Sequence, residues 1–139
     1  MAEFVETFDV ASEDFVSAGE ASRNIKRILK KIGLDANLIR RVAIASYESE
    51  MNMAIHSLGG SITFMIEGDK IKVVCKDKGP GIEDIDQAMK EGYSTASQEA
   101  RSIGFGAGMG LPNIKNNSDE LKIESNKDGT TLEVWFNIE

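Results

Sequence analysis

Between Gly104 and Gly110 every second residue is glycine, with Phe105, Ala107 and Met109 in the gaps. Glycine loses more backbone freedom on folding than any other residue and offers no side chain to pack, so this run suits neither a helix interior nor a strand. It suits a backbone that stays open. The residues after it, to about Asn117, are compatible with a helix. A glycine run ahead of a helix can aim several N–H groups at an anion, with the helix dipole adding to the attraction. A plain flexible turn is the competing reading of the run taken alone. Neither a Walker A pattern nor a dinucleotide-binding G-x-G-x-x-G is present, so the common phosphate loops do not account for it.

The rest of the chain reads as a short series of regular elements. Glu3 to Val10 alternates, with Phe4, Phe8 and Val10 on one side, and predicts a strand. Phe15, Ala18, Ile25, Ile28, Leu29 and Ile32 recur at helical spacing, which predicts a helix from Ser12 to Ile32 stopped by Gly33. Asp35 can cap a second helix to about Ser57, with Leu38, Val42, Ala45 and Ser49 on one stripe. Ser61 to Glu67 and Lys70 to Lys76 flank Gly68-Asp69 as a hairpin, and Leu121 to Ser125 and Thr130 to Ile138 flank Asp128-Gly129 as another. Trp135 and Cys75 read as core. The predicted fold class is α+β: one domain over residues 1–139, a two-layer α/β sandwich with a mostly antiparallel sheet and helices on one face. The stretch from Glu83 to Ile103 is long for a loop in so economical a chain, and loops of that length often serve as functional lids.

Two further segments carry candidate chemistry. Asp77-Lys78-Gly79-Pro80-Gly81-Ile82 follows directly on a predicted strand, which would hold the Asp77 carboxylate at the sheet edge. An acid there can accept a hydrogen bond from an exocyclic amine, while Gly79 and Gly81 let a flat ring approach the backbone. A type II turn with a solvated Asp is the alternative. On the second helix Glu48, Asn52 and His56 stand four residues apart and share a face. Glu48 can deprotonate or orient a nucleophile, and Asn52 offers an amide oxygen to Mg²⁺, a hard cation that takes oxygen ligands. A solvated polar face is the alternative here. Glu50 points elsewhere and reads as a surface residue, and His56 reads as a polar helix end.

Composition narrows the partners. A net charge of -7 disfavours affinity gained by neutralising nucleic-acid phosphates or anionic lipids. No segment approaches the roughly 18 consecutive apolar residues of a membrane span, and Met1 to Val10 has no export-signal pattern. One cysteine permits no internal disulfide and fits a reducing compartment, so a cytoplasmic location is expected.

Taken together, these segments resemble the GHKL superfamily of gyrase, Hsp90, histidine kinases and MutL. Its N-box, an acid followed four residues later by Asn, is matched by Glu48 and Asn52; its first glycine box, D-x-G-x-G, by Asp77, Gly79 and Gly81. The second glycine box, G-x-G-x-G-L, is matched by Gly106, Gly108, Gly110 and Leu111. The resemblance covers Arg41 to about Ile138. The length, the opening strand and two helices, and the stretches Asp77 to Ile82, Glu91 to Thr95 and Gly108 to Lys115 are most similar to anti-sigma-factor serine/threonine kinases and the stressosome switch kinase.

The resemblance implies a Bergerat-type fold that binds ATP and Mg²⁺, with Asp77 on the adenine amine and Asn52 as the metal ligand. The glycine boxes would surround the nucleotide through Gly79, Gly81, Ile82, Gly104, Gly106, Gly108, Met109, Gly110 and Leu111. Ser94 and Thr95 in the lid would reach phosphate oxygens or simply form a turn. Arg101 and Lys115 are the nearest cations, Lys115 reading better as surface charge. It further implies that Glu48 is the catalytic base toward a serine on a STAS-domain antagonist, with or without a sigma factor as a second client; a homodimer is compatible with this. One departure is Glu50, a second acid where the family has a small or apolar residue. A histidine-kinase catalytic domain is disfavoured, because the chain carries no helical segment with an accepting His. The alternative function is a nucleotide-gated binding module that does not phosphorylate its partner.

Overall fold

The computed structural model describes residues 4–10, 19–56, 59–79 and 110–138. The predicted lid, Gly81, Ile82, Ser94, Thr95, Arg101, and the glycine run from Gly104 to Met109 lie outside them, as do residues 11–18 at the start of the predicted first helix.

Among the described residues the order is β1 (Phe4–Val10), α1 (Glu20–Ile32), α2 (Ala36–His56), β2 (Gly60–Glu67), β3 (Lys70–Asp77), α3 (Gly110–Asn117), β4 (Glu120–Asn126) and β5 (Gly129–Asn137). The strands form one antiparallel sheet in the order β1-β2-β3-β5-β4. This is the predicted α+β sandwich, with the helices on one face. β2 and β3 turn at Gly68 and Asp69, where Gly68 takes φ 59°, as the hairpin signal requires.

Register aligns the apolar set. Ile62 of β2 pairs with Cys75 of β3, Cys75 with Leu132 of β5, and Leu132 with Ile123 of β4, so one row of the pleat faces the helices. Phe64, Val73 and Val134 form the next row, and all three are buried. From above, α1 contributes Ile25 and Leu29, and α2 contributes Leu38, Val42 and Ala45, as the stripe on each helix predicts. Gly33 ends α1 in the left-handed region, its N–H reaching the Leu29 and Lys30 carbonyls. Asp35 caps α2, its Oδ2 accepting the N–H of Asn37 at 3.0 Å and of Leu38 at 3.3 Å.

Trp135 corrects the sequence reading. It sits between buried Val134 and Phe136, so the alternation of the strand turns it to the open face of the sheet. There it is half-buried under the Lys72 ammonium, 5.3 Å from the ring centre, and Lys72 also pairs with Glu133 at 3.6 Å. Cys75 is core, as read.

Candidate functional site

Helix α2 turns about 100° per residue, so Glu48 and Asn52 lie nearly in line while Glu50 leaves on the other side. Both Glu48 and Asn52 are half-buried. Burial raises the Glu48 carboxyl above its ordinary value, and a side-chain hydrogen bond from Asn113 on α3 opposes that rise. A carboxylate pushed upward in this way is a better proton acceptor near neutral pH than a solvated one. His56 is the last residue of α2.

Glu50 is not a surface residue. It is 3% exposed, and its two oxygens accept the backbone N–H groups of Ala21 and Ser22 at 3.1 Å each. These are donors that the first turn of α1 leaves unsatisfied. The second acid of the N-box is therefore committed to α1, and Glu48 is the acid on the Asn52 face.

The seat of Asp77 is built by backbone. It ends β3, and its Oδ1 accepts the N–H of Gly79 at 3.0 Å and of Thr130 at 2.9 Å. One oxygen of the carboxylate is thus anchored by two backbone N–H groups, one from its own turn and one from β5. The neighbouring backbones come very close. A Cβ on Gly60 would run into the Lys76 carbonyl and sit 2.7 Å from the Asp77 Cα, and one on Gly129 would run into the Asp77 carbonyl. Gly79 takes φ 99°, which glycine adopts without strain. The Asp77 side chain thus closes an Asx turn onto the Gly79 N–H.

α3 begins at Gly110, the last glycine of the box, and places Leu111 partly buried against the core. Its far end is fixed by Arg41 of α2, whose Nε donates to the Asn117 carbonyl at 3.0 Å while Nη2 pairs with Asp119 at 2.9 Å. The same guanidinium lies 5.9 Å from the Phe136 ring centre. Lys115 is exposed, as surface charge would be. Sequence reasoning missed Asn113 and Arg41. Both act across two helices, and no local spacing signals such a contact.

Residues 11–136 match the histidine kinase-like ATPase domain family. The chain belongs to that family. Within it, the chain is 30% identical over 116 residues to the serine/threonine-protein kinase RsbT of Bacillus subtilis (strain 168), a match covering 81% of this chain and 79% of that protein. It is 34% identical over 99 residues to the anti-sigma F factor of Thermoanaerobacter sp. (strain X514), covering 68% of this chain and 66% of that protein. Among solved structures, the RsbU and RsbW domains of Rv1364c from Mycobacterium tuberculosis share the fold at TM-score 0.63 and 16% identity, over 96% of this chain and 32% of that one. The Acinetobacter baumannii histidine kinase AdeS does so at TM-score 0.54 and 16% identity, over 100% of this chain and 70% of that one. The GHKL resemblance read from Glu48, Asn52, Asp77 and the glycine boxes is thereby borne out.

The donor set also bears on a metal. Among the described residues no three His, Cys, Asp or Glu side chains gather as a metal-binding group. Mg²⁺ needs no such group, since it commonly keeps its waters and takes only one or two protein oxygens beside substrate phosphates. The Asn52 amide is a donor of that kind. No described helix is long and apolar enough to cross a membrane.

Proposed function

We propose that this protein is a cytoplasmic serine/threonine protein kinase of the anti-sigma regulatory type. In this reading one domain, residues 1–139, uses ATP and Mg²⁺ to phosphorylate a STAS-domain antagonist. The observation that carries the nucleotide assignment is the Asp77 carboxylate, anchored at Oδ1 by two backbone N–H groups and held where the glycine backbones of Gly60 and Gly129 pack directly against it. A carboxylate fixed in that way selects a ligand that presents an N–H, such as the adenine amine, over one that presents only acceptors. The names of the relatives support the protein-kinase and anti-sigma parts of the reading.

In the proposed reaction the partner's serine hydroxyl attacks the γ-phosphorus, the bond to the β,γ-bridging oxygen breaks, and ADP leaves. Glu48 accepts the hydroxyl proton, aided by burial that raises its carboxyl above the ordinary value. Asn52 would hold Mg²⁺, which when bound neutralises phosphate charge. The backbone of Gly79, Gly81, Ile82 and of Gly104 to Leu111 would line the nucleotide, with Ser94 and Thr95 near the phosphates. A sigma factor is a natural second client, and a homodimer is compatible with the reading. The net charge of -7 argues against nucleic acid and anionic membrane as partners.

The test is incubation of the protein with labelled ATP, Mg²⁺ and STAS-domain proteins encoded beside its gene, with mapping of the phosphosite. The expected result is label on one serine or threonine, reduced about 10²–10⁴-fold by Glu48→Gln, the usual contribution of a general base, with ATP still bound. ATP binding without transfer to any of them would leave the nucleotide-gated binding module as the better reading.

A further inference from the structure

Glu50 is an expensive way to cap a helix. A Ser, Thr, Asp or Asn just ahead of α1 would satisfy the same amides locally and leave no carboxylate buried. The chain instead has Gly19 there, in the left-handed region and with no side-chain cap, and brings the carboxylate from the helix that carries Glu48 and Asn52. What the long-range version adds is a fixed relation between two helices. Beside Glu50 on α2 the buried side chains are Ser46 and Ser49, both small, the Ser49 hydroxyl donating to the Ala45 carbonyl at 2.7 Å, and Met51 and Met53, which are long and unbranched. The serines offer little relief to interlock with neighbouring elements and methionine adapts its shape to its surroundings, so side-chain packing here sets the roll of the helix only loosely. Two hydrogen bonds from one carboxylate to two successive amides resist that roll directly, because hydrogen bonds weaken steeply once distance or angle leaves the preferred range. The side chain at 50 lies about 200° around the helix from those at 48 and 52, so any roll at Glu50 appears as a displacement on the opposite face.

We propose that Glu50 is a positioning residue: by holding the Ala21 and Ser22 amides it fixes the roll of α2 and so aims Asn52 and Glu48 into the nucleotide site. The inference rests on the nucleotide reading above, and in particular on Asn52 as the residue linked to Mg²⁺. Asp77 sits on β3, outside the helix that would roll. The prediction is therefore selective: loss of Glu50 damages the Mg²⁺-dependent part of ATP binding and spares the adenine-dependent part.

The experiment is calorimetric titration of the full chain with ATP, once with Mg²⁺ and once with EDTA, for wild type, Glu50→Gln and Val134→Ala. Val134 is a buried sheet residue, and its truncation serves as a control for lost stability alone. In Glu50→Gln the ratio of the two affinities should fall about tenfold, the scale on which modest misplacement of a binding group is felt, with the EDTA affinity held within about twofold. Val134→Ala should lower the melting temperature and leave the ratio unchanged. In the wild type, hydrogen exchange at Ala21 and Ser22 should slow on adding Mg·ATP more than on adding ATP with EDTA, because coupling between sites is reciprocal. That measurement decides the matter if Glu50→Gln does not fold. An unaltered ratio in Glu50→Gln, or exchange at Ala21 and Ser22 indifferent to Mg·ATP, overturns the positioning role while leaving ATP binding intact. Wild-type protein that gains no ATP affinity from Mg²⁺ overturns the Asn52 assignment and this inference with it.

Discussion

Exchanging Asp77 for asparagine tests the adenine seat with almost no change of shape. The wild-type carboxylate accepts two backbone N–H groups on Oδ1, from Gly79 at 3.0 Å and Thr130 at 2.9 Å. An asparagine must put its oxygen there, since an NH₂ group in that place would face two donors. Its Nδ2 then takes the place of Oδ2 and turns a donor toward the ligand. The structure thus dictates which way the amide points, and with it the sign of the effect. Binding of ATP and ADP loses a hydrogen bond to a charged acceptor, about 1.5–3 kcal/mol. That corresponds to roughly 10–150-fold in Kd by titration calorimetry. Inosine triphosphate has a carbonyl where adenine has its amine, so the wild-type carboxylate should reject it and the asparagine Nδ2 should receive it. We predict that Asp77→Asn lowers ATP affinity and raises the preference for inosine triphosphate over ATP. An unchanged Kd for ATP would refute the seat, and an unchanged preference would refute the orientation deduced from Gly79 and Thr130.

Two other predictions concern stability. The Glu48 carboxyl is raised in the folded protein, chiefly by burial, so the folded state holds that proton more tightly than the unfolded chain. Glu48 therefore costs the fold increasingly as pH climbs from the ordinary value of 4.5 through the raised folded value, and the cost is constant above it. Glu48→Gln should accordingly melt higher than wild type at pH 7, with the gain disappearing below about pH 4.5; a gain independent of pH would show that burial of the charge is not its origin. Gly60→Ala should lose about 1–3 kcal/mol in urea denaturation, the usual scale of overpacking, because its Cβ meets the Lys76 carbonyl and the Asp77 Cα and both are backbone. It should weaken ATP binding as well, by shifting Asp77; full stability and full affinity together would contradict the close approach.

Features encoded by a few neighbouring residues are legible in the amino-acid sequence alone. Asp35 ahead of α2, Gly33 behind α1, and Gly68-Asp69 between β2 and β3 each set their local geometry through a cap, a left-handed stop or a turn, with little help from the rest of the chain. Trp135 is also within reach, because Leu132, Val134 and Phe136 take the core face and the period of two leaves it no choice. Its size suggests core, but alternation outweighs size in a strand covered on one side. The Asp77 seat is half legible. The acid and the glycine at 79 are neighbours, but the N–H of Thr130 comes from 53 residues further along.

Glu48 and Glu50 show where sequence reasoning stops, and why. They are identical in chemistry and two residues apart, so helical geometry alone puts them on different faces of α2 and allows only one of them to accompany Asn52. The i, i+4 spacing already selects Glu48 for that face. What it does not reveal is the fate of the other acid, and burial of an unpartnered carboxylate is so costly that exposure is the natural expectation. The exception arises because the partners are backbone amides 28 and 29 residues upstream, which every residue type except proline possesses and no composition advertises. The one local clue is a lack that shows only once α1 is seen to start at Glu20 and not at Ser12: Gly19 stands where the helix would carry its own cap. A helix start without a capping side chain, beside a chain segment with one acid more than its motif needs, is a pairing that can be sought in sequence. The reason to seek it is physical, since buried amides at a helix start require an acceptor from somewhere in the fold.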